Sequence, residues 1–181
     1  LHATGNTDMN GDVTLSLEPP VTGTGDAMLI IVGYNCLPDT NIIHFIPSGE
    51  AYVIYNAHIV ADPSGNNNGL VDFGESVLLD MAISNIGMVD AVNVISTLSV
   101  DDEYVTITDN TEQYGNMTAG TTLMIDGAFS FDVLVTVPDQ HIIEFILVCE
   151  SNGQTWNSDF EVVVQAPFPE FCNSIIIFSY D

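Results

Sequence analysis

The 181-residue chain contains no lysine and no arginine, although it carries 25 aspartate and glutamate residues. An ordinary domain of this length has roughly 20 basic residues, so their absence is not a matter of chance. Lysine-dependent covalent chemistry is excluded, and side-chain salt bridges can form only with histidine. Direct binding to nucleic acid is disfavoured, because no side chain can neutralise the phosphates. The carboxylates repel one another unless cations screen or bind them.

Three explanations of this composition stay open. The surface is adapted to high salt or divalent cations, the chain resists proteases that cut after lysine or arginine, or the sequence is engineered.

No apolar run reaches the roughly 18 residues of a membrane span. No signal peptide is visible and residue 1 is Leu, so we expect an internal piece of a longer chain.

Cysteine and catalytic motifs are also scarce. Three cysteines, Cys36, Cys149 and Cys172, are an odd number and do not form a disulfide framework. Cys149 lies in an alternating apolar run, which favours a small buried side chain over a reactive thiol. The four histidines form no metalloprotease pattern, and no G-x-S-x-G nucleophile motif occurs. We therefore predict that this chain is not an enzyme and that a catalytic domain, if there is one, lies outside it.

Alternation of apolar and polar residues dominates the sequence. It is clearest in residues 77–84, 129–137, 142–149 and 155–164, where turn signals separate the runs. Strict alternation is typical of half-buried antiparallel strands, and it places Trp156 on the inward face. About seven short strands predict an all-β fold, an immunoglobulin-like antiparallel β-sandwich over residues 51–167.

Both ends of the chain differ from this central part. Residues 1–50 offer about three strands, at 12–18, 27–35 and 42–46, too few to close a core. We interpret them as the C-terminal part of an upstream immunoglobulin-like β domain, so that a partial β domain precedes the sandwich. Residues 168–181 form a tail or begin a further strand or module. Unpaired strand edges at both ends favour pairing with other domains or with neighbouring copies.

The stretch DPSGNNNGLVDFGES (62–76) spaces oxygen-bearing side chains like a calcium loop. With Ser64 at position 1, the glycine of the tight turn falls at position 6 and an acid at position 12. Its flanks resemble strands, which argues against an EF-hand. Two alternatives stay open: a bound Ca²⁺, or a metal-free turn in which Asn and Asp cap their own backbone. The candidate metal ligands are Asp62, Ser64, Asn66, Asn68, Leu70, Asp72 and Glu75.

Residues 11–38, GDVTLSLEPPVTGTGDAMLIIVGYNCLP, resemble the end of the immunoglobulin-like domain that follows the protease domain of gingipain-type cysteine peptidases of the Bacteroidetes. The next part of the chain resembles the module that often follows this domain. The segments that carry the resemblance are 62–76, SNIGMVDAVNV (84–94), DDEYVTITDNTEQYGNM (101–117) and VPDQHIIEF (137–145). The resemblance implies a secreted or surface-anchored multidomain protein with adhesion-type β-sandwiches. None of the three cysteines matches the catalytic context, so no catalytic residue is carried over.

These observations predict a non-catalytic extracellular module with a spacer, stabilising or adhesion role. Its expected partners are other domains of the same protein, neighbouring copies, or a cell-surface or matrix component. One alternative is a subunit of a surface fibre whose chains join by strand pairing. Another is a fragment of a secreted peptidase.

Overall fold

The computed structural model of the chain describes residues 2–17, 25–46 and 49–166. Within these ranges it contains eleven β-strands and no helix. The all-β fold predicted from the alternation is therefore confirmed. It follows that no helix in the described ranges could cross a membrane. The predicted tail, residues 168–181, lies outside the described residues.

Two sheets form the main body of the fold. The four-stranded sheet has the order β3 (Val53–Ala61), β5 (Ser76–Asn85), β9 (Thr122–Val133) and β7 (Val105–Asp109). The five-stranded sheet has the order β4 (Val71–Asp72), β11 (Gln154–Gln165), β10 (Ile142–Ser151), β6 (Ala91–Val100) and β8 (Thr111–Met117). Neighbouring strands are antiparallel except β4 and β11, which are parallel.

This strand order is that of an immunoglobulin-like sandwich, in which strands A-B-E-D form one sheet and C-F-G the other. Strands β3, β5, β9 and β7 correspond to the first sheet, and β6, β10 and β11 to the second. The segments β7 and β8 are separated by Asn110, where the chain passes from one sheet to the other. The carbonyl of Asn110 still accepts the N–H of Leu98 in β6, at 2.8 Å.

The core lies between the two sheets and is filled by alternate side chains of their strands. Phe129, Phe131 and Phe145 are fully buried, and the rings of Phe131 and Phe145 are 5.1 Å apart. Trp156 and Cys149 also lie in the core, as the alternation predicted. Each large apolar side chain buried in this way contributes about 1.5–3 kcal/mol. The apolar core is therefore a main source of the stability of the sandwich.

Strand β9 corrects one predicted boundary. The alternation predicted a strand over residues 129–137, but β9 begins at Thr122 and ends at Val133. Beyond Val133 the chain turns: the N–H of Val137 donates to the carbonyl of Leu134 at 3.3 Å. The alternation breaks here, because Val133 and Val137 are buried while Val135 between them is 72% exposed. Val137 is therefore a buried residue of a loop and not of a strand.

The N-terminal part of the chain forms a separate hairpin. Strands β1 (Gly25–Ile31) and β2 (Asp39–Phe45) pair with each other in full register. Neither of them joins a sheet of the sandwich in the described part of the chain. The strand predicted over residues 12–18 is wrong for residues 12–17, which are not in a strand. The carbonyl of Asp12 accepts the N–H of Asp8 at 2.8 Å in a local turn. A strand needs a neighbouring strand as a partner, and none flanks residues 12–17 in the described ranges.

The chain enters the sandwich at one end and leaves it at the other. Val53, in the first strand, lies opposite Asn85 at the end of β5. Gln165, in the last strand, lies opposite Asp72, just before β5 begins at Ser76. A ten-residue strand such as β5 is about 33 Å long. The two points are therefore separated by about the full length of the sandwich.

Candidate functional site: the loop between the sheets and the opposite end

The asparagine-rich loop carries the chain from one sheet to the other. It begins after Ala61, the last residue of β3, and ends at Val71, the first residue of β4. Positive φ angles of 56° at Asn67 and 75° at Gly69 allow the chain to reverse within this short segment. The loop therefore has a structural task whether or not it binds a metal.

Asp62 holds this loop together from beneath. Its side chain is buried, with 1% of the residue surface exposed. Its carboxylate accepts the backbone N–H of Asn68 at 3.1 Å and that of Gly69 at 3.0 Å. Burial raises the pKa of Asp62, but the hydrogen bonds from Gly69 and Asn68 outweigh it, so the pKa lies below its ordinary value. The ionised carboxylate of Asp62 thus holds the loop backbone in place through these two hydrogen bonds.

A second group of polar side chains gathers around Asp72. The side-chain amides of Asn66 and Asn68 donate to Oδ2 of Asp72, at 2.6 and 3.0 Å. The carboxylate of Glu75 accepts the backbone N–H of Asn66 at 3.2 Å and that of Asp72 at 3.4 Å. A Cβ at Gly65 would overlap the Glu75 carboxyl group, so a larger residue there would force the Glu75 side chain to move. The sequence did not reveal this role of Gly65.

Four of the seven predicted ligands therefore lie together: Asn66, Asn68, Asp72 and Glu75. Leu70 takes part only through its backbone N–H, which donates to Oδ1 of Asn68 at 2.7 Å, while Ser64 is exposed. No three Asp, Glu, His or Cys side chains in the described ranges are grouped closely enough to hold a metal. These contacts belong to the hydrogen-bonded turn, the second of the two alternatives. Calcium binding stays a prediction.

The opposite end of the sandwich is organised by Asn85, which is fully buried. Its side-chain oxygen accepts the backbone N–H groups of Tyr52 and Gly87, each at 3.1 Å. Its amide nitrogen donates to the carbonyls of Val89 at 2.9 Å and Met117 at 3.1 Å. One side chain thus ties the incoming chain to the β5–β6 loop and to the end of β8.

The incoming chain also lies directly against this loop. The N–H of Ile86 donates to the carbonyl of Tyr52 at 2.8 Å, and that of Met88 to Glu50 at 3.0 Å. A Cβ at Gly87 would overlap the carbonyl oxygen of Glu50, so only glycine permits this approach. The sequence indicated a turn at Asn85-Ile-Gly87 but did not indicate what the turn holds.

The histidines in the sandwich have structural contacts. Nδ1 of His58 lies 2.9 Å from the hydroxyl of Tyr55. Burial lowers the pKa of His58. Nε2 of His141 lies 2.7 Å from Oδ2 of Asp102 and links the β6–β7 and β9–β10 loops. The first contact lies within β3, and the second joins two loops.

Two cysteines fall within the described residues. Cys149 is 1% exposed, and burial raises the pKa of its thiol to about 12, so the reactive thiolate is suppressed. Cys36 is exposed in the β1–β2 connection. Cys172 lies outside the described residues.

Comparison with known proteins adds two distant likenesses in fold. No protein-family profile matches the chain, and no curated protein matches it in sequence. The structure is similar to native alpha-2-macroglobulin from Escherichia coli, spanning domain MG7 to the C-terminus, with 13% identity, 66% of this chain and 17% of that chain covered, and a TM-score of 0.45. This chain therefore spans less than a fifth of the macroglobulin chain.

The second likeness is to the CsuC–CsuE chaperone–tip adhesion subunit pre-assembly complex of archaic chaperone-usher Csu pili from Acinetobacter baumannii. The identity is 11%, the covered shares are 53% of this chain and 52% of that chain, and the TM-score is 0.28. At these identities and TM-scores neither likeness bears on function. Neither concerns gingipain-type peptidases, so that resemblance also stays a prediction.

Proposed function

We propose that this chain is a non-catalytic β-sandwich module of a secreted or cell-surface protein, and that it serves as a spacer that holds tension between the parts it connects. One observation carries the proposal: the chain enters and leaves the sandwich at opposite ends. A module built in this way adds about 30 Å of folded length. The partners it connects are other domains of the same protein or neighbouring copies.

The arrangement of the first and last strands suits such a load. Tension pulls β3 and β11 in opposite directions along their own axes. Strand β3 is held by β5, and β11 by β10 and by the parallel strand β4. The hydrogen bonds of each pair are then loaded together, in shear. Peeling a strand from one end would instead break the same bonds one after another, at a lower force.

The short strand β4, which follows β3 and the asparagine-rich loop, pairs directly with the last strand, β11. The N–H of Phe73 donates to the carbonyl of Gln165 at 3.1 Å, and Val71 lies opposite Val164. This pair connects the segment that follows β3 to the end of the module without passing through the rest of the sheet. The bond between Phe73 and Gln165 is therefore a point where the load-bearing role can be tested.

Single-molecule pulling of the folded chain tests this proposal. Handles at residues 49 and 166 load the strands in shear, whereas handles at residue 49 and Met88, which lie at the same end, peel β3 away from β5. We expect a several-fold higher unfolding force for the first pair of handles. Phe73→Pro, which removes a backbone donor, should lower the force for the first pair and leave the second unchanged. Equal forces for both pairs in the wild-type chain would contradict the proposal.

The acidic composition supports an extracellular setting. A chain with 25 carboxylates and no lysine or arginine offers no tryptic cleavage site. Its carboxylates are stabilised by salt and divalent cations, which screen their repulsion. These properties suit a module exposed to proteases and to a cation-rich medium. The alternative, a fragment of a secreted peptidase, would need catalytic residues from outside this chain.

Within this proposal, Ca²⁺ binds the loop between the sheets. The loop offers carboxylate and amide oxygens, the ligands that this hard cation prefers. Asn66, Asn68, Asp72 and Glu75 would hold the ion, because they already lie in contact. Asp62 would keep its bonds to the backbone beneath them. Because this loop connects β3 to β4, an ion bound there would strengthen the link between the two sheets.

A further inference from the structure

The hairpin β1–β2 exposes apolar side chains on both of its faces. Met28 and Ile42 lie opposite each other on one face and are 68% and 61% exposed. On the other face Ile31 and Ile43 are 53% and 43% exposed. A two-stranded ribbon is at best marginally stable in water without a third strand or a packing partner. This hairpin therefore needs a third strand or a packing partner to be stable.

The chain itself carries a segment of matching character. Residues 174–179 read Ser-Ile-Ile-Ile-Phe-Ser and contain no charge, in a chain that carries 25 acids. They lie outside the described residues. The central part of the hairpin, residues 27–31 with 40–43, is also free of acids. Identical acidic surfaces repel each other, so acid-free segments such as these two allow two copies to approach at a lower cost.

A tail that runs back along its own sandwich is too short to place residue 174 at the opposite end. Eight residues lead from residue 166 to residue 174, and fully extended they span at most about 29 Å. The sandwich is about 33 Å long. The hairpin precedes the end at which the chain enters the sandwich, so residue 174 does not reach the point of entry in its own copy.

From this geometry we propose that residues 174–179 of one copy add as a third strand to the β1–β2 hairpin of a second copy. Strand addition uses backbone hydrogen bonds for affinity and alternate side chains for fit. The tail follows the point where the chain leaves the sandwich and the hairpin precedes the point where it enters, so the contact is head-to-tail. A head-to-tail contact that does not close into a ring produces an open-ended chain of copies. This proposal does not depend on the load-bearing role of the sandwich.

Complementary variants test the proposal. The donor-only variant Met28→Asn/Ile30→Asn/Ile42→Asn keeps the tail but removes the apolar hairpin surface. The acceptor-only variant Ile175→Ser/Ile177→Ser keeps the hairpin but removes the apolar tail. Sedimentation is measured in reducing buffer over increasing protein concentration, and Trp156 fluorescence confirms that each sandwich is folded. The wild-type chain should give a growing series of oligomers, and each variant alone should be monomeric.

The mixture of the two variants gives the sharpest result. Equal amounts should form a heterodimer and nothing larger, because each mixed pair has one working donor and one working acceptor.

Three outcomes would overturn the proposal. A wild-type chain that stays monomeric would show that another part of the protein covers the hairpin. A wild-type series that stops at a closed dimer would indicate a hairpin-to-hairpin contact. Variants that assemble alone, or that fail to combine when mixed, would exclude the tail as the donor.

Discussion

Replacing Asn85 by alanine should destabilise the sandwich more than any exposed asparagine can. The substitution removes four hydrogen bonds, to Tyr52, Gly87, Val89 and Met117. Met117 is fully buried, so water cannot easily replace the amide there. Each bond contributes about 0.5–1.5 kcal/mol net. Since some of the freed groups lie near the surface, we expect a total loss of about 3 kcal/mol.

Urea unfolding followed by Trp156 fluorescence measures this loss, because the indole lies in the core. With an m-value of about 1.5 kcal/mol/M, the midpoint should fall by about 2 M. Asn157→Ala is the matched control, since Asn157 is exposed on β11. That substitution should change the stability by less than about 0.5 kcal/mol. An Asn85→Ala variant as stable as the control would refute the role of Asn85 as the anchor of the incoming chain.

Two further predictions concern protons and calcium. Burial lowers the pKa of His58, so the unfolded state binds the proton first as the pH falls; stability should decrease from about pH 6.5 downward until the folded-state pKa is passed. His58→Gln should flatten this part of the pH profile in urea titrations, and an unchanged slope would contradict the assignment. Millimolar Ca²⁺ should raise the melting temperature, because at 100 times Kd a ligand of the folded state stabilises it by about 2.7 kcal/mol. Asp72→Ala should abolish that rise while the charge-matched control Asp159→Ala retains it; equal responses would mean general screening of charge.

Alternation predicted the strands whose one face is buried, because burial is what selects a period of two. Strand β10 is the clearest case, with Ile143, Phe145, Leu147 and Cys149 all in the core. The first half of β9 escaped prediction because apolar side chains are exposed on both of its faces: the adjacent residues Leu123 and Met124 point to opposite faces and are 36% and 44% exposed.

Features that depend on contacts between distant segments could not be predicted from the sequence. The switch between sheets at Asn110 depends on which strands stand next to β7 and β8, and nothing local encodes it. The contacts of Asn85 join three segments that meet only in the fold. In the asparagine loop, four of the seven residues predicted from the spacing lie together, while Ser64 and the side chain of Leu70 take no part. The burial of Asp62 emerged only from the structure, because it depends on how the loop packs on the sandwich.

Both proposals depend on the chain entering and leaving the sandwich at opposite ends, and a single distance tests this directly. Spin labels at Glu50→Cys and Ala166→Cys, with Cys36 and Cys172 replaced by serine, report the separation of the two points by pulsed electron resonance. Cys149 can stay, because it is buried in the core. The strand length predicts a distance of about 30 Å or more. A distance below about 20 Å would place both points at the same end and would contradict the spacer role and the head-to-tail assembly together.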